Sequence, residues 1–186
     1  MSLTYPAGLN IKKCQLISFC DASFANLPDR GSQGGYITFL IDDKGTYCPI
    51  AWQSRRIKRV VNSTLAAECL VAVEAAEHCI LLKLTLEEML CFQHEQSISI
   101  SVISDNKSLV DAAHTSTSIE NKRLQIDVSI LREMIDNKDI QQFRWIETKY
   151  QVANALTKNG TPSDYLLKVL RGSSVYDFQK KYFCIK

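Results

Sequence analysis

The sequence predicts an α/β sandwich: a five-stranded mixed sheet with helices on both faces. Three observations predict it. Three strand-like segments follow one another within residues 16–54, each closed by turn residues. Residues 64–90 then run in helical register without Gly or Pro. Beyond them strand-like and helix-like segments alternate, so the later strands are expected to enter parallel to the first through helical crossovers.

Residues 1–15 have no strong period and read as a lead-in. The first strand is "LISFCDASF" (16–24), and the Pro, Asp and Gly residues of "NLPDRGSQGG" (26–35) make a connecting loop. "GYITFLID" (35–42) alternates as strand two, "DDKG" (42–45) is a hairpin turn, and "TYCPIAWQS" (46–54) is strand three. Pro49 predicts an irregularity or an exposed edge there. Ser63 or Thr64 can cap the helix of 64–90. "SISISVISD" (97–105) alternates apolar residues with Ser, as strand four; helices follow at 107–114 and 119–137. "IQQFRWIET" (140–148) is strand five, and "QVANALTK" (151–158) is a short helix stopped by Asn159-Gly160. Residues 161–171 add a helical piece before a basic, aromatic tail, so 161–186 reads as a C-terminal extension. The strands place Trp52 and Trp145 in the core.

Bulk properties exclude several classes. A chain of 186 residues with 46% hydrophobic and 23% charged residues is an ordinary globular domain with room for a core. Net charge is only +2, so local clusters matter more than the total. The seven cysteines form no C-x-x-C pair and have no ligand-like spacing with His78, His94 or His114, so neither a disulfide framework nor zinc is expected. No run approaches the ~20 apolar residues of a membrane span, and Met1–Leu16 lacks the apolar centre of a signal peptide. A soluble protein of the cytoplasm or nucleus, with no membrane partner, is expected.

Asp21 shares a strand face with Ile17 and Phe19, where a lone ionised carboxylate is costly unless something pairs with it. Asp105 ends strand four as Asp21 nears the end of strand one, so parallel pairing puts both at one sheet edge, where α/β proteins place their sites. Glu68 lies on the helix face of Ala72, Ala75, Cys79, Leu86 and Leu90, opposite Glu74, Glu77 and Glu88. Each acid has a structural alternative: Asp21 as a turn residue, Glu68 in a capping box, Asp105 as a helix cap. Together the three would repel one another unless divalent cations neutralised them. Ligands that are all oxygen select hard ions, Mg²⁺ or Mn²⁺.

These residues resemble the RNase H domain of Ty1/copia-type retrotransposon polyproteins. "CDASFA" (20–25), "DRGSQGGY" (29–36), "IAWQSRR" (50–56), "STLAAE" (63–68), "SDNKSL" (104–109) and "ANALTK" (153–158) are similar to that family's motifs, in order, across residues 16–160. The resemblance implies a ribonuclease H-like catalytic domain that hydrolyses the RNA strand of RNA–DNA hybrids with two Mg²⁺ ions, Mn²⁺ substituting. It implies that Asp21 bridges the ions, that Glu68 and Asp105 complete the shell, and that Glu68 also meets a ribose 2′-OH. A reverse-transcriptase domain in a parent polyprotein is the implied partner.

The departure is Asn154, which stands where the family has Asp. An amide oxygen can still coordinate a hard cation but brings no charge, so weaker ion binding and attenuated activity are expected. Arg55, Arg56, Lys58 and Arg59 lie between strand three and the helix of Glu68; beside such a site they are expected to contact phosphates. Ser63, Thr64 and Asn106 are expected to hydrogen-bond the hybrid backbone. Two other readings compete: a domesticated domain that binds nucleic acid or a protein without cutting, favoured by Asn154 alone, and an integrase-type nuclease. The latter takes its third acid from a late helix, which here bears the amide.

Overall fold

Strand β1 (Cys14–Ser23) is apolar on both sides, with Leu16, Cys20 and Ala22 in one core and Ile17 and Phe19 in the other. A strand of that kind belongs at the centre of a sheet covered on both faces. The computed structural model describes residues 6–92, 97–116, 119–158, 160 and 163–172, and places β1 in that position. Its sheet has the order β3-β2-β1-β4-β5, completed by β2 (Gln33–Asp42), β3 (Tyr47–Arg56), β4 (Ser99–Ser104) and β5 (Gln142–Trp145). The pairs β1–β2 and β2–β3 are antiparallel, while β4 runs parallel to β1 and β5 parallel to β4, as the crossovers required.

Helices α1 (Thr64–Met89), α2 (Lys107–His114) and α3 (Lys122–Asp136) cover one face around Leu16, Cys20, Ile100 and Val102. The other face carries α4 (Asn154–Thr157) and α5 (Asp164–Leu170), over Phe19, Phe39 and Ile103. On α1 the residues against the sheet are small: Ala72, Ala75 and Cys79 are each fully buried, and the helix packs closely on β1.

Several expectations change in detail. Strand β2 begins at Gln33, so Gly34 and Gly35 are ladder residues and not loop residues. Pro49 sits at a bulge on the edge strand: Thr38 pairs with Ala51 and Phe39 with Pro49, leaving Ile50 extra. Trp52 and Trp145 are not core residues; they are 55% and 47% exposed, on the two edge strands, where a side chain has neighbours on fewer sides. Helix α3 begins at Lys122 because Asn121 accepts from the N–H groups of Arg123 and Leu124. The basic tail, within 173–186, and His94 lie outside the described residues. Among the described residues no helix is long and apolar enough to cross a membrane.

Candidate active site

Three separate elements deliver the acids. Asp21, fully buried, lies near the end of β1 with Gly35 of β2 as its ladder partner. Asp105 follows β4 directly, and it is Asn106, not Asp105, that caps α2, accepting from the Leu109 N–H at 3.0 Å. The indole N–H of Trp145 donates to the Asp105 carbonyl at 3.0 Å, tying β5 to that turn. On α1 the cap is Ser63, whose Oγ accepts from the Ala66 N–H at 3.1 Å. Glu68 is then two positions further in than a capping box allows, since the box would put its acid at residue 66. The three acids meet: one carboxylate oxygen from each of Asp21, Glu68 and Asp105 lies within 4.8 Å of the others.

Burial and mutual repulsion dominate this cluster, although one ammonium, that of Lys158, stands against it. Burial, followed by the charges of Asp21 and Asp105, pushes the Glu68 carboxyl up to about 9, against the opposing pull of Lys158 and the Ala22 amide. Burial also raises Asp21, although Lys158 and Thr157 work the other way. Glu68 Oε2 is buried with no hydrogen-bond partner. A buried carboxylate oxygen without a donor is expensive, and a cation is the simplest group that satisfies it.

The opposite wall is α4. Asn154 is buried; its Nδ2 donates to the Thr148 carbonyl at 3.0 Å, and its Oδ1 accepts from the Lys158 ammonium. The same ammonium forms an ion pair with Asp21 Oδ1 at 3.2 Å, while the Thr157 hydroxyl donates to Asp21 Oδ2. Asn154 therefore reaches Asp21 through Lys158. The helix is latched to the sheet by Gln151 Nε2 donating to the Cys20 carbonyl (2.9 Å) and Ser23 Oγ donating to the Thr157 carbonyl (2.8 Å). Gly35 makes the approach possible, because a Cβ there would stand 2.9 Å from Leu156 Cβ and 3.1 Å from Thr157 Cγ2. Sequence reasoning used only position 154 of "ANALTK". The i+3 and i+4 spacing of Thr157 and Lys158 was the available sign that both share its side of the helix.

The basic segment forms a separate wall. Arg55, Arg56, Lys58 and Arg59, with Gly34, Val71 and Glu74, line a cleft of ≈ 240 Å³. Ladder pairing sets Arg55 opposite Gly34, and Gly34 opposite Ala22, the residue after Asp21. Two strand spacings of about 4.8 Å thus separate that backbone from β1. Three of the cations have acidic partners: Arg55 pairs with Glu74, Arg56 with Asp29, and Arg59 with the buried Asp127 at 2.9 Å. Glu74, expected on the solvent side, is half-buried by that contact. Lys58 is exposed with no ion pair among the described residues, and Thr64 is exposed beside the Ser63 cap.

No family model matches the chain. Among solved structures it is similar to RNase H1 from the halophilic archaeon Halobacterium salinarum NRC-1 (TM-score 0.52, 13% identity, 83% of this chain and 98% of that one). It is also similar to LC11-RNase H1, isolated from compost by a metagenomic approach and solved with an RNA/DNA hybrid (TM-score 0.51, 15% identity, 82% of this chain and 99% of that one). The chain has the ribonuclease H-like fold. In sequence it is similar to the retrovirus-related Pol polyprotein from transposon TNT 1-94 of Nicotiana tabacum, 31% identical over 145 residues, which are 77% of this chain. The match spans 10% of that polyprotein's length.

Proposed function

We propose that residues 16–160 form a metal-dependent endonuclease that cleaves the RNA strand of RNA–DNA hybrids, of the kind carried by Ty1/copia-type reverse-transcriptase polyproteins. The observation that carries this reading is the meeting of Asp21, Glu68 and Asp105 within 4.8 Å, from β1, α1 and the turn after β4. The donor set fits a hard divalent cation: its ligands are all oxygens, and Glu68 Oε2 is a buried acceptor with no donor. Mg²⁺ is the proposed ion and Mn²⁺ its substitute. Once bound, such ions supply activation of the attacking water and neutralisation of the leaving 3′ oxygen.

The chain's own groups do the rest. Asp21, Glu68 and Asp105 are the metal ligands, and Glu68 is also the group to accept a hydrogen bond from a ribose 2′-OH, which distinguishes RNA from DNA. Asn154 takes the family's fourth position and holds Lys158 there. Lys58 is ready for a phosphate. Arg55, Arg56 and Arg59 bind phosphates by exchanging carboxylate partners that are at least partly open to solvent, apart from Asp127. Ser63, Thr64 and Asn106 are hydrogen-bond donors to the backbone, since the caps use only the acceptor oxygens of Ser63 and Asn106.

A second reading, hybrid binding without cleavage, is favoured by Asn154 and by the ammonium already on Asp21. A labelled hybrid incubated with Mg²⁺ or Mn²⁺ separates the two. Cleavage confined to the RNA strand, falling to background in Asp105→Asn, is the expected result. Retention of the hybrid with no RNA cut in either chain would establish the binding module instead.

A further inference from the structure

We propose that Lys158 holds the place of one divalent ion, so that without nucleic acid the acidic cluster takes up a single ion where four acids would take two. The inference rests on the metal-binding reading above and concerns the count of ions, which that reading leaves open.

Both oxygens of Asp21 are already engaged by the chain itself. Oδ1 pairs with the Lys158 ammonium at 3.2 Å, and Oδ2 accepts from the Thr157 hydroxyl. A carboxylate so occupied has little left with which to bridge two ions. The unmet demand lies elsewhere in the cluster, on the buried and partnerless Oε2 of Glu68.

Asn154 and Lys158 work as a pair. The amide is anchored by its Nδ2 on the Thr148 carbonyl, which turns Oδ1 toward the ammonium one helical turn on. An amide aims the lysine without neutralising it, so the positive charge remains available to Asp21. An acid at 154 would compete with Asp21 for that charge.

The charges agree with the geometry. With all three carboxylates ionised, as metal ligation requires, Asp21, Glu68 and Asp105 with one ammonium carry two net negative charges, which one divalent ion balances. Without the ammonium the same three carboxylates would carry three, more than one divalent ion balances. The ammonium also comes from a half-buried side chain on a short helix that polar contacts hold in place, so it is fixed beside Asp21 and is not a loose surface charge.

The test is titration of the folded chain with Mn²⁺ alone, counting bound ions from the electron paramagnetic resonance signal of free Mn²⁺. The unchanged chain is expected to bind one ion and Lys158→Met two. Lys158→Gln serves if the methionine variant does not fold by circular dichroism. Equal counts in both chains, whether one or two, overturn the role of Lys158 while leaving the metal site standing. No uptake by either chain overturns the metal reading, and this inference with it.

Discussion

Helices α1 and α4 both bring a polar side chain to Asp21, and they are held in opposite ways. Helix α1 spans Thr64–Met89 and rests on Ala72, Ala75 and Cys79, fully buried against the sheet. Helix α4 spans only Asn154–Thr157 and is fastened by Gln151, Ser23 and the gap above Gly35. A long apolar stripe positions Glu68 through many small contacts. A few directed hydrogen bonds position Asn154 and Lys158. The first arrangement resists opening because it is part of the global core. The second is local and should open more readily.

The comparison breaks most visibly in α1. Ala75→Leu forces three extra carbons into a site with no free volume, and it should cost about 1–3 kcal/mol of unfolding free energy, as overpacking does. Urea unfolding measures it; an unchanged midpoint would mean that α1 does not rest on this stripe.

A smaller and more local effect is expected from Gly35→Ala. The added Cβ meets Leu156 Cβ at 2.9 Å and the Gln53 carbonyl at 3.1 Å, and the backbone cannot yield as a side chain could. Helix α4 should lift, costing on the order of 1 kcal/mol, the size of a hydrogen bond or so. Hydrogen exchange should quicken at the amides of Leu156 and Lys158 while the middle of α1 keeps its protection. Equal acceleration in both helices would erase the distinction between them.

The smallest effect sharpens the comparison with a polar latch far from the site. Asp42 accepts from the N–H groups of Asn10, Lys44 and Thr46 at 3.1, 2.9 and 2.8 Å. Burial pushes its carboxyl up, but the Asn10, Thr46 and Lys44 amides outweigh this and hold it below its ordinary 3.8. A depressed value means that its stabilisation is present above the unfolded value and lost as pH falls through the folded one. Asp42→Asn should therefore flatten the acid limb of the stability curve below about pH 4 and leave ion uptake at Asp21 unaltered. Urea midpoints taken down the pH scale report the first effect and Mn²⁺ titration the second.

Much of this architecture is legible in the residues themselves. The succession of strands and helices and the sense of the strands follow from the succession of periods, and Glu68 stands out because one acid falls on a stripe of small residues. Asp105 stands out because it closes a strand that must run parallel to β1. The edge-strand bulge at Pro49 is equally readable, since proline lacks the N–H that a central strand needs. Less readable is the exposure of Trp52 and Trp145: alternation locates a strand face but not whether another layer covers it.

Periodicity, caps and turn chemistry are local properties, so the chain by itself determined its elements, their order and which acids share a sheet edge. Contacts between distant segments were decided only on folding. Thr157 and Lys158 stand 136 and 137 positions from Asp21, and no local spacing announces that they will occupy both of its oxygens. Gly35 shows the same thing from the other side. In the sequence it is punctuation, and in the folded sheet it is the missing side chain that admits α4, because only packing brings Leu156 within reach of it.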